Sequence, residues 1–71
     1  MLDKEFKTIL AEFLKDNGLT QTAFAVKIGV KPGQVSEWLA GKAKPGYDTL
    51  KKMSVAFDVS PEYFLGLTDI F

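Results

Sequence analysis

The sequence predicts an all-α domain of five short helices spanning residues 1–71 as a single unit. Three observations lead there. Apolar residues recur at three- and four-residue intervals, the spacing that gathers them on one face of a helix, and no stretch alternates apolar and polar residues as a half-buried strand would. The segments are punctuated at Asn17-Gly18, Gly29, Gly41, Pro45-Gly46 and Ser60-Pro61, residue types that end or begin helices. The chain is 71 residues long and 46% apolar, with neither Cys nor His, so it must hold together by packing and not by disulfides or a Cys/His metal site. A domain this small is marginal alone, which favours packing shared across a subunit interface.

The first helix covers about residues 3–16, with Leu2, Phe6, Ile9, Leu10, Phe13 and Leu14 as its apolar stripe, and Asn17-Gly18 stops it. Thr20 is a suitable N-cap for a second helix over about 21–28, with Phe24, Ala25 and Ile28 inward and Gly29 as its end. After Val30, Pro32 suits the first turn of a third helix because its missing N–H would have had no partner there, although Lys31 is a poor cap. This helix runs to about Ala40, with Val35, Trp38 and Leu39 inward and Gly41 closing it. The loop KAKPG follows. A fourth helix covers about 47–57, with Leu50, Met53, Ala56 and Phe57 inward and Asp48 in the first turn, where the helix dipole favours a negative charge. Ser60-Pro61 starts a fifth over about 61–66 with Tyr63, Phe64 and Leu65, and the tail 67–71 ends on Ile70 and Phe71.

Net charge is zero, but its distribution is uneven. Residues 20–52 carry six lysines against Glu37 and Asp48, a net +4, whereas residues 1–19 carry −1 and residues 53–71 carry −3. Arginine is absent, which removes bidentate Arg–guanine pairing from the available chemistry. No apolar run approaches the ~20 residues of a membrane span. The N-terminal MLDKEFK lacks the apolar core of a signal peptide. These features favour the cytoplasm. Without His, Cys or a recognisable pair of carboxylates in a pocket, nothing points to catalysis, a cofactor or a small-molecule ligand.

Counted from Gln21, the twenty residues to Ala40 place Ala25 fifth, Gly29 ninth, Val35 fifteenth and Trp38 eighteenth. Two helices meeting at a steep angle approach most closely near the fifth position, which admits only a small side chain. The ninth lies in the tight turn, where positive φ is cheap only for Gly. The fifteenth and eighteenth pack the second helix of the pair onto the first. This is the spacing of a helix-turn-helix, over about residues 20–41.

The stretch LTQTAFAVKIGVKPGQVSEWLAGKAKP resembles the helix-turn-helix of the phage repressor and Cro type, also called the XRE family. The following TLKKMSVAFDVSPEYFLG is similar to the fourth and fifth helices of that family. The likeness covers roughly residues 5–66. It rests on Thr20-Gln21, Ala25, Gly29-Val30, Val35-Ser36, Trp38, Gly41 and Pro45 standing in register. It implies a lambda-repressor-like fold and sequence-specific binding of double-stranded DNA, usually as a homodimer on an inverted-repeat operator. The implied activity is that of a small transcription regulator, a repressor of bacterial, phage or mobile-element origin.

In that family the third helix lies in the major groove with its N-terminal residues on base edges. By alignment those positions are Lys31, Pro32, Gly33, Gln34 and Glu37, with Ser36 beside them. Gln34 suits adenine, Lys31 guanine or a phosphate, and Glu37 cytosine N4. Pro32 and Gly33 depart from the usual polar pair and offer no side-chain hydrogen bond. The resemblance assigns phosphate contacts to Thr20 and Gln21 at the start of the second helix and to Lys42 and Lys44 in the following loop. Lys27, Lys51 and Lys52 are weaker candidates. Leu65, Leu67, Ile70 and Phe71 either finish the core or form the homodimer patch. The zero net charge, Pro32-Gly33 and Glu37 keep an alternative open: a protein-interaction module on the same fold, with weak and non-specific DNA binding.

Overall fold

The computed structural model describes residues 5–66. Among them are five helices: α1 (Phe6–Asp16), α2 (Gln21–Ile28), α3 (Pro32–Leu39), α4 (Tyr47–Phe57) and α5 (Pro61–Phe64). None of these helices is long and apolar enough to cross a membrane.

Each boundary has a local cause. The Thr20 side chain accepts the Ala23 N–H at 3.0 Å, which caps α2. Gly29 closes α2 in the left-handed conformation at φ +76°, and the Val30 N–H then returns to the Ala25 carbonyl at 3.0 Å. Gly46 precedes α4, and Asp58 ends it at φ 53°, a left-handed conformation that Asp tolerates better than most side chains. Lys31 stands at the α3 cap without a side-chain bond, as its long cationic side chain would suggest. Ser60 occupies the α5 cap position, yet its hydroxyl makes no cap bond and only its carbonyl accepts, from the Tyr63 N–H at 3.1 Å.

Three boundaries differ from the sequence reading. Glu5 is extended and its carbonyl accepts from Thr8 and Ile9, so α1 starts at Phe6 and not near residue 3; Leu2 lies outside the described residues. α3 ends at Leu39, with Ala40 as its cap residue and Gly41 turning left-handed behind it. α5 is a single turn, because Gly66 at φ +80° cannot continue the helix, and Leu65 is left 51% exposed.

The core is aromatic. Phe13 of α1 meets Phe24 of α2, Phe57 of α4 and Phe64 of α5 edge-on at 5.2–6.1 Å between centroids, and Phe24 stacks on Phe57 at 5.1 Å. Trp38 of α3 is buried against the edge of Phe6 at 6.0 Å, a packing role. Ala25 and Val35 are fully buried where α2 and α3 pack together, and α1 closes over α3 and α5. Of the residues expected inward on α4, Met53 is fully buried but Leu50, Ala56 and Phe57 are only half-buried. Ser54 is buried beside them, and its Oγ has no hydrogen-bond partner. This core holds α2 and α3 rigidly, with the outer face of α3 turned to solvent.

Candidate nucleic-acid interface

The exposed side of the helix pair begins at the α2 N-terminus. Thr20 and Gln21 are both exposed there. The Thr20 oxygen is engaged in capping, which leaves its O–H free to donate outward. Gln21 is tied across the motif: the Ser36 hydroxyl of α3 donates to Gln21 Oε1 at 2.6 Å. This bond spans fifteen positions and fixes the start of α2 against the middle of α3. It also occupies the carbonyl end of the Gln21 amide, so the NH₂ end is what remains for a ligand. Ser36 stands beside the candidate base-facing positions, and its hydroxyl proton serves Gln21.

Along α3, Lys31, Pro32, Gly33, Gln34 and Glu37 are all exposed, while Val35 and Trp38 point into the core. The helical period therefore separates the candidate contacts from the packing residues cleanly. Pro32 is the first residue of α3 and Gly33 the second. The α3 helix spans eight residues, about 12 Å at the standard rise. An α-helix of about 10–12 Å diameter matches the ~12 Å width of the DNA major groove. Glu37 has no ion-pair partner among the described residues, so its carboxylate is not neutralised by a neighbouring lysine.

The loop after α3 carries Lys42 and Lys44, both exposed. Lys44 borders a recess of about 380 Å³ formed with Glu5, Phe6, Pro45, Leu50, Phe64 and Leu65, against which its aliphatic stem can lie. Sequence reading missed a further cation at this end. Lys7 of α1 packs its stem over Gly41, where an added Cβ would stand 3.1 Å from Lys7 Cδ. The Lys7 ammonium pairs with Glu5 at 3.5 Å on the surface. Lys7 belongs to residues 1–19, which carry a net −1, and nothing local in the sequence brings it to residue 41.

The weaker candidates lie elsewhere. Lys27 stands six residues along α2 from Gln21, about 9 Å further along the helix, with its ammonium 5.6 Å from the centre of the Phe57 ring. Lys51 sits 5.9 Å from the centre of the Tyr47 ring. Lys27, Lys51 and Lys52 line a shallow groove with Ile28, Asp48, Val55 and Ala56, on the flank made by α2 and α4.

Residues 10–64 match the family described as helix-turn-helix. The chain is similar to the uncharacterized HTH-type transcriptional regulator YobD of Bacillus subtilis (strain 168), with 37% identity over 60 residues, 84% of this chain and 54% of that protein. It thus spans about half the length of that relative. No solved structure matches it.

Proposed function

We propose that this chain, which belongs to the XRE-type helix-turn-helix family, binds double-stranded DNA sequence-specifically as a small transcription regulator. Its sign of action is repression, and its origin is bacterial, phage or mobile-element. The observation that carries this reading is the Ser36–Gln21 bond: it pins a phosphate-directed amide at the start of α2 to the one helix whose outer face presents Lys31, Gln34 and Glu37 together. An amide oriented by this bond beside a row of exposed polar side chains suits a duplex, where phosphate contacts position the protein and base contacts specify the sequence.

On this reading α3 enters the major groove. Gln34 pairs with adenine, Lys31 with guanine or a phosphate, and Glu37 accepts from cytosine N4. Beside DNA the Glu37 carboxylate is favourable only opposite such a donor, and without one the phosphates repel it. Thr20, Gln21, Lys42 and Lys44 hold phosphates, and the basic middle of the chain (residues 20–52) sets the sign of the field. A homodimer through the C-terminal apolar residues would place two copies of α3 on an inverted repeat. Leu65 is half-exposed there, while Leu67, Ile70 and Phe71 lie outside the described residues.

The test compares two substitutions on a panel of duplexes that differ at one base pair each. Lys44→Ala should lower affinity for all members alike, whereas Gln34→Ala should change the preference at a single position. With Lys42 and Lys44, and Lys31 where it takes a phosphate, neutralising two to three phosphates, log affinity should fall against log salt with a slope of about −2 to −3 per protomer. Uniform loss in both variants would remove Gln34 from the base contacts. A second reading, a protein-interaction module, draws on the exposed apolar side chains of Val26 on α2 and of Tyr47 and Val55 on α4. It predicts weak binding with no preference anywhere in the panel.

A further inference from the structure

Nothing in the fold asks for glycine at position 33. Its φ lies outside the left-handed region, the residue is exposed, and a Cβ added there would meet no heavy atom within 4 Å. Glycine is also the poorest helix former after proline, so its presence in the first turn of α3 works against the helix. Gly29 contrasts with it: its φ of +76° explains the residue type from the fold alone. A requirement that does not come from inside the protein can come from what the surface touches.

The surroundings define that surface. Pro32 is exposed and has no N–H, and Gly33 has no side chain, so between Lys31 and Gln34 lies a ledge made of a pyrrolidine ring and a bare Cα. Most base-edge groups in the major groove are hydrogen-bond donors or acceptors, and pressing one against such a ledge would strip its water without replacement. The thymine C5 methyl is the one apolar group displayed there.

We propose that Pro32 and Gly33 form a contact for a thymine methyl, with Gly33 left bare so that the α3 backbone can approach the methyl to van der Waals distance. The inference rests on the DNA reading above and adds a base identity at the two positions that carry no polar side chain. It also makes Gly33 a specificity residue by what it lacks. An alanine methyl at position 33 would occupy the place of the thymine methyl, and the open space around it means that the fold would not resist the change.

The experiment uses the full chain and a duplex enriched from a randomised pool. Each thymine is replaced in turn by deoxyuridine, which removes only the methyl. One position per half-site should lose about fourfold in affinity, the factor for one buried methyl-sized group. Gly33→Ala, shown to be folded by circular dichroism, should bind the thymine duplex more weakly than the unmodified protein does. It should recover its affinity when that same thymine is replaced by deoxyuridine. An enriched sequence with no methyl effect at any thymine would overturn the proposal while leaving the DNA reading intact. So would a Gly33→Ala variant that loses affinity equally on both duplexes. Failure to enrich any sequence would overturn the DNA reading, and this contact with it.

Discussion

The Ser36–Gln21 bond allows stability and binding to be separated. The hydroxyl donates across 2.6 Å to Gln21 Oε1, and both residues are exposed. Water can replace either partner, so Ser36→Ala should lower stability by no more than about 0.5 kcal/mol, the low end for a neutral hydrogen bond. DNA binding should respond differently. A hydrogen bond to a charged group is worth about 1.5–3 kcal/mol, so Gln21→Ala should weaken binding by about tenfold or more. Ser36→Ala leaves Gln21 in place but frees its amide, which must then be ordered on binding. Immobilising one such side chain corresponds to a loss of about two- to twelvefold. If Ser36 acts only by holding Gln21, the double variant should bind no more weakly than Gln21→Ala alone. The assay is fluorescence anisotropy of a labelled duplex at one fixed salt concentration, with circular dichroism melts showing that each variant is folded. A double variant whose loss equals the product of the two single losses would refute the reasoning, and would mean that Ser36 meets the DNA by itself.

Two further predictions concern the scaffold that holds the reading helix. Ser54→Ala removes a buried hydroxyl with no partner and adds a better helix former, so it should stabilise the domain by about 1 kcal/mol and raise Tm by about 4–8 °C. A fall of similar size in a thermal melt would show that the hydroxyl is satisfied after all. Gly29→Ala introduces a Cβ that meets nothing within 4 Å, so only the left-handed backbone resists it. That strain should lower stability by about 1–2 kcal/mol, and an unchanged Tm would contradict the turn geometry between α2 and α3.

The fold was legible in the sequence wherever one residue type had a local reason for its place. Thr20 and Gly29 bracket α2 at both ends, and the spacing of Ala25 and Val35 marks the buried seam between α2 and α3, whereas Trp38, expected on α2, packs against Phe6 of α1. The α1 start was not legible, because Glu5 caps it with its backbone alone, and a side-chain signal is what a sequence displays. Asp58 ends α4 in a left-handed conformation that the sequence reading did not assign to it. In the candidate site, the helical period was enough to turn Lys31, Gln34 and Glu37 outward. Partners distant in sequence were not readable that way. The bond between residues 21 and 36 and the passage of Lys7 over Gly41 both depend on how helices cross, and a local pattern carries no record of that.

The central claim is that the outer face of α3 reads a DNA sequence. Selection from a randomised duplex pool at moderate salt, followed by sequencing of the bound fraction, tests it most directly. The account predicts enrichment of an inverted repeat whose half-sites lie about one helical turn apart, about 10 base pairs from centre to centre. Weak, salt-sensitive retention with no enriched sequence would contradict it, and would turn attention to the exposed flank of α2 and α4 as a surface for protein partners.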